Sequence, residues 1–318
     1  MCGPQVTEMS QAYRDCTGLT GNAQCSESVK NYAWTYANCT GLNNAACGSS
    51  VTDMNHSFYG CTALATANCG SSVTDMNATY YGCTSLKVAK CGASVVNMIN
   101  TYAGCTSLTT ANCGEAVVNM INTYSNCTEL TTAVCNESVK DMTGAYSGCT
   151  KLTTAVCGDA VESMNHTYAG CTSIVDAAIC GPAVKYMDGT YAGCTSLRNA
   201  ECGDLVKTLI STYAGCTALK KAACGPNITD LSGCYVGCTS LEIAACGNSI
   251  TSLEGVYVIN ESGTYKGLLN LTTAAYNNNV INLNHAYREC INLKTVDGNC
   301  PNAKYMYYSF ANCTNLTA

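Results

Sequence analysis

The stretch TYAGCTSLTTANCG at 101–114 returns as TYYGCTSLKVAKCG at 79–92 and as TYAGCTSLRNAECG at 190–203. Counted from the cysteine of each CG-like pair, the unit reads C-G-x-x-V-x-x-M-x-x-T-Y-x-G-C-T-x-L-x-x-A-x over 22 positions. Copies start at Cys2, Cys25, Cys47, Cys69, Cys91, Cys113, Cys135, Cys157, Cys180, Cys202, Cys224, Cys246, Tyr276 and Cys300. A unit this short cannot bury its own apolar stripe, so each copy must lay its apolar columns against the same columns of its neighbours. Stacking is therefore the fold, and the expectation is a single solenoid of about 14 coils over residues 1–318.

Comparison of copies within the chain separates core columns from surface columns. Position 18 is Leu (Leu108 is typical) or Ile174, and position 12 is aromatic in every copy, as at Tyr102, with Tyr265 assigned to it in the twelfth. Position 5 is Val or Ile in nearly all copies, and position 8 is mostly Met, as at Met120. Positions 18 to 1 alternate Leu-x-x-Ala-x-Cys, which suits a short parallel strand. Positions 5 to 12 place Val, Met and Tyr three and four apart, which is helical spacing. Gly at position 14 suits a left-handed residue ending such a turn. The reading is an α/β repeat solenoid: a strand, a corner at CG, a short helical or 3-10 arc, and a second corner at GCT. The twelfth copy carries eight extra residues near 256–263, which should bulge from the arc side. Tyr257, Asn260 and Glu261 make that insertion a candidate contact loop.

The phrase GC-x-x-L-x-x-A-x-C-G-x-x-V-x-x-M-x-x-T-Y resembles the BspA-like, or treponemal-type, leucine-rich repeat. In that family's unit GC-x-x-L leads into an alternating strand, a turn, a Val, and an aromatic before the next GC. The resemblance covers essentially the whole chain. Here Cys-Gly stands where the family has Ile-Pro, Ala where it has a strand Ile, and Thr-Tyr where it has Ala-Phe. The resemblance implies a leucine-rich-repeat-like right-handed coil with one parallel β-sheet. It also implies a surface-exposed adhesion or interaction protein of bacteria, their phages or some protists, rather than an enzyme.

Most coils carry two cysteines, as at Cys61 and Cys69 or Cys105 and Cys113, within a total of 27. Such density is that of a disulfide scaffold, yet Cys is also a small apolar residue suited to crowded corners. The joint loss of both positions, at Leu268 and Tyr276, favours a bond between them. Geometry opposes it, since the two ends of a strand lie ~15 Å apart and a disulfide needs Cα atoms within about 7 Å. Buried thiol columns, disulfides along the strand and disulfides between adjacent coils all stay open. No metal is expected, because no C-x₂-C pair exists. His56, His166 and His285 fall at position 10 in separated coils and read as surface residues. Asp53, Asp75, Asp141 and Asp159 read as solvating the outer face.

Net charge is −6, with no run of Lys or Arg, so nucleic acid is not an expected partner. No window of about 18 apolar residues exists to insert into a membrane. No phosphate-cradling loop and no paired acid and base point to a cofactor or catalytic site. The residues left to act are those at variable positions 17, 19, 20 and 22: Lys87, Lys90, Arg198, Glu201, Lys220 and Glu242. The expected function is non-enzymatic recognition or adhesion, binding protein or glycan at an extracellular, cell or virion surface. The alternative is an architectural fibre or virion-surface subunit, self-associating through ends that lack polar caps.

Overall fold

A computed structural model describes residues 3–23, 26–88, 90–177, 180–244, 247–256, 258–261 and 264–317, with only the backbone of 258–261 and 264–266. Two compact units make up the chain, Met1–Val161 and Glu162–Ala318. In the first, β1 (Gly21–Ala23), β2 (Leu42–Ala46) and β3 (Thr66–Asn68) form a parallel sheet in that order. Ala23, Ala45 and Ala67 stand opposite one another in it, buried, while Thr66 and Asn68 flank Ala67 on the exposed side. In the second, β4 (Asn199–Ala200), β5 (Lys221–Ala222), β6 (Ile243–Ala244), β9 (Thr273–Ala275) and β10 (Thr295–Asp297) form a parallel sheet in the order β10-β9-β6-β5-β4. Strands therefore form within positions 18 to 22, where the Leu-x-x-Ala alternation puts them. Among the described residues they fall in one parallel sheet in each unit.

A second parallel ladder, which the repeat pattern does not announce, runs along position 7. Bridges link Glu8, Asn31, Asp53, Asp75, Asn97, Asn119 and Asp141 in the first unit, and Ser252, Asn282 and Tyr305 in the second. Tyr305 pairs one residue earlier than a count from Cys300 places that column.

The expected helical arc is corrected: no helix occurs among the described residues. Consecutive copies lie too close for one. Rings of Tyr80 and Tyr102 stack with centroids 5.4 Å apart, as do those of Tyr124 and Tyr146, whereas an α-helix with side chains needs about 10 Å. The arc instead alternates two kinds of hydrogen bond. Met76, Ala78, Tyr80 and Gly82 donate their N–H to Asn97, Ile99, Thr101 and Ala103 of the next coil, while Thr79, Tyr81 and Cys83 donate back to Met76, Ala78 and Tyr80. Left-handed residues at positions 10 and 14, such as Asn100 (φ 53°) and Gly104 (φ 75°), reverse the twist every few residues and keep the chain from winding up. Position 14 fits the expectation. Position 10 was missed, although Asn, Gly and His recur there and are the residues that tolerate this region best.

The core columns are as expected. Val95, Met98, Tyr102, Cys105, Leu108 and Met120 are fully buried, and Cys69 and Cys113 are half-buried. Burial of each Leu108-sized side chain contributes roughly 1.5–3 kcal/mol. A buried hydroxyl column at position 11 accompanies them. Thr79, Thr101 and Thr123 donate Oγ1 hydrogens to the carbonyls of Met54, Met76 and Met98 in the preceding coil, at 2.8–2.9 Å.

The insertion in the twelfth copy is an antiparallel hairpin of β7 (Val258–Glu261) and β8 (Thr264–Gly267). Asn260 pairs with Tyr265 and Glu261 with Thr264, so Tyr265 belongs to the hairpin. Tyr257 lies outside the described residues.

Candidate interaction surface

The side chains assigned to a ligand face all reach solvent, but in two units. Lys87 and Lys90 are exposed in the first unit; Arg198, Glu201 and Lys220 are exposed and Glu242 half-exposed in the second. Backbone bonds set their spacing, with Lys220 N–H donating to Arg198 O at 2.9 Å and Glu242 N–H to Lys220 O at 3.0 Å. The structure brings Lys220 and Glu242 together as an ion pair of 3.3 Å. Same-column pairs of opposite charge recur at Lys151–Glu129 (2.7 Å) and Lys185–Glu162 (2.8 Å). Exposed as they are, such pairs are screened by solvent, so they tune register more than they hold the fold.

A second surface feature went unread in the sequence. Positions 10 and 13 meet across coils, and in the first four copies they carry Arg14, Trp34, His56, Tyr59 and Tyr81. The guanidinium of Arg14 lies 4.8 Å from the centre of the Trp34 ring. Trp34 and His56 stack at 4.1 Å with their planes 7° apart, and Tyr59 and Tyr81 stack at 4.8 Å and 3°. Tyr59 also touches both Trp34 and His56, at 5.9 Å, so the two files form one ridge. Trp34 is the chain's sole tryptophan and sits at φ 58°. That left-handed conformation costs a bulky residue about 1–2 kcal/mol, and the half-buried ring meets His56, Tyr59 and Arg14 there. The signal was available, because copies five to eleven carry Asn, Gly, Ser, Ala, one His or one Val at these positions. Tyr308 (φ 52°) repeats the device in the second unit, with Arg288 5.1 Å from its ring.

His56 is thus no isolated surface residue. Burial lowers its pKa, against a smaller opposing pull from Asp53 and Asp75, which favours the neutral ring in the stack. His166 is likewise fitted to its neighbour, since a Cβ on Gly189 would collide with its imidazole. Asp53, Asp75 and Asp141 also need correction. Their Oδ1 atoms accept N–H bonds from Asn55, Asn77 and Thr143 at 2.9 Å and so start each arc.

The 24 described cysteines are thiols, with no disulfide among them. At position 15 the Sγ–H points to the backbone carbonyl of position 12 in the preceding coil in ten copies, among them Cys61 to Tyr36 (3.0 Å), Cys105 to Tyr80 and Cys127 to Tyr102 (both 3.1 Å). At position 1 the thiol packs on the Met of its own coil, with Cys113 Sγ 3.7 Å from Met120 Sδ. Burial pushes Cys61, Cys69, Cys105 and Cys113 up to about 12. Such thiols are protonated and poor nucleophiles at neutral pH. Among the described residues no three metal-ligating side chains converge, and no helix is long and apolar enough to cross a membrane. An open hollow of about 380 Å³ in the second unit is lined by Asn248, Tyr276, Asn277, Asn278, Asn279 and Asn299. The amides of Asn277 and Asn279 are already engaged by the carbonyls of Gly247 and Asn248.

The BspA type leucine rich repeat region matches this sequence over residues 10–121, 98–198 and 188–317. No curated protein matches it. Among solved structures, a leucine-rich repeat protein from Bacteroides ovatus is similar over 96% of this chain and 91% of its own, with TM-score 0.65 and 15% identity. A leucine rich cell surface protein from Faecalibacterium prausnitzii is similar over 93% and 86%, at 0.54 and 17%. A leucine-rich repeat protein from Eubacterium ventriosum gives 85% and 82%, at 0.52 and 13%. At these identities the likeness speaks for the fold: a parallel-strand β-solenoid of leucine-rich-repeat type.

Proposed function

Because this chain belongs to the BspA-type leucine-rich-repeat family, we propose that it is a recognition or adhesion module of a cell or particle surface. It binds protein or glycan through side chains carried on a repetitive scaffold, and it does so without catalysis. One observation carries the reading: the inward columns repeat almost unchanged while the outward ones vary from copy to copy. A scaffold whose core tolerates nothing and whose surface tolerates much is suited to presenting residues to a partner. The cell-surface character of the Faecalibacterium relative supports the location.

The test is binding by the purified chain to an array of neutral and acidic glycans and to a panel of extracellular-matrix proteins, with sedimentation run alongside. Saturable binding by a monodisperse monomer is the expected result. Head-to-tail assembly with no ligand on either panel would replace this reading with an architectural one.

A further inference from the structure

The geometry points to the ridge of Arg14, Trp34, His56, Tyr59 and Tyr81 as a binding site for a neutral oligosaccharide, with the Tyr81 ring as its stacking shelf. The inference rests on the recognition-module reading above, and it places a site on the arc side, away from the strand face.

Three observations carry it. The aromatic substitutions in the first four copies fall on two columns that touch in space, and Trp34 holds a left-handed backbone there with its ring on His56 and Tyr59. The Tyr file then ends on an open face. Tyr81 is 39% exposed and stacks on Tyr59 by one side, while the same column in the next copy is Ala103, which has no ring to cover the other. Beyond that step the two columns turn to amides and a hydroxyl, at Asn100, Asn122 and Ser125, without a charge among them. A pyranose offers an apolar C–H face to an aromatic ring and a rim of hydroxyls to amides. Successive sugars of an extended chain advance by a distance comparable with one coil, which is 4.8 Å between the Tyr59 and Tyr81 rings.

Charge decides between ligand classes. An acidic peptide approaching the ridge would meet Asp53 and Asp75 in the neighbouring column, and a basic one would meet Arg14, which is paired with Asp15 at 3.6 Å. A neutral polyhydroxylated ligand meets neither penalty. Trp, Tyr and Arg are also the residues of protein-interface hot spots, so a neutral proline-rich peptide is the competing occupant.

Trp34, as the only tryptophan, makes its emission a direct reporter. The purified chain is titrated with a panel of neutral α- and β-linked hexasaccharides, and separately with a neutral proline-rich peptide. A saturable change with at least one saccharide is expected. Tyr81→Ala should weaken it at least tenfold, whereas Tyr81→Phe and Lys140→Ala, at an exposed residue of the same unit outside the ridge, should stay within twofold, with unchanged circular dichroism throughout. The inference is overturned by the absence of a saturable response to every saccharide, by Tyr81→Ala binding like the parent, or by a response to the peptide alone. If it fails while ligands on the wider panels still bind, the recognition module stands and only this site is lost. If nothing binds anywhere, both readings fall.

Discussion

Alkaline pH should unfold this protein through its thiols. Cys61, Cys105, Cys149 and Cys216 are all pushed up to about 12 in the folded chain, chiefly by burial, from an ordinary value of 9.0. A raised folded value means that the stability tied to the protonated thiol is complete below pH 9. It is then lost as pH climbs from 9 towards 12, because the unfolded chain can ionise where the folded one cannot. At pH 10 the loss is about 1.4 kcal/mol per thiol, following the usual energy of one pKa unit. Four such positions together remove ~6 kcal/mol, comparable with the whole stability of a typical domain. Buried tyrosines such as Tyr102 and Tyr124, also raised by burial, push the same way from about pH 10 upward. The assay is circular dichroism against pH in the presence of reductant, with return to pH 8 to establish reversibility. A cooperative loss of structure between about pH 9.5 and 10.5 is the expected result. Replacing the four cysteines by Ala should lower stability at pH 8 yet flatten the alkaline slope. A parent chain that stays folded through pH 11, or a variant whose alkaline slope matches the parent's, would refute the account of the column as buried, protonated, hydrogen-bonded thiols.

Three further outcomes follow from particular contacts. Gly104→Ala should cost about 1 kcal/mol in urea unfolding through backbone torsion alone, since the added Cβ would lie 3.6 Å from Gly82 Cα, an ordinary contact; Gly104→Asn should cost less, as Asn126 already adopts that conformation at φ 59°. Thr101→Val removes a buried Oγ1–H donor 2.8 Å from Met76 O and should destabilise by about 1 kcal/mol, with no change in spectral shape. Lys220→Ala, which breaks an exposed pair with Glu242, should shift stability by less than about 0.5 kcal/mol; a larger loss in thermal melts would mean that the surface pairs hold the coils together.

How far the sequence could be read depended on which contacts a residue makes. Leu108, Tyr102 and Ala111 recur at fixed spacing because each meets its own counterpart in the next copy, so recurrence reports inward position directly. His56 and Asn100 were legible only in part. Their column contains Asn, Gly and His, the residues of left-handed backbone, but three-and-four spacing of Val95, Met98 and Tyr102 suggested a helix. Both turn types bring positions 5, 8 and 12 to one side, so the apolar pattern alone does not separate them. Asp53 was misplaced for a related reason, since an arc-starting Asx bond to Asn55 leaves no apolar signature.

The repeat by itself determined that the copies stack, which columns face inward and where the strands run, because a 22-residue unit has no other way to bury Leu, Tyr and Val. Tertiary structure decided what depends on the distance between coils. Rings 5.4 Å apart leave no room for a helix, turn half of the arc's N–H groups toward the next copy, and set Cys105 beneath the carbonyl of Tyr80 as a thiol. The ridge around Trp34 is of the same kind. Residues from four copies become one surface only when stacking lays Trp34 on His56 and Tyr59 on Tyr81, and of these contacts only His56–Tyr59 lies within a single copy.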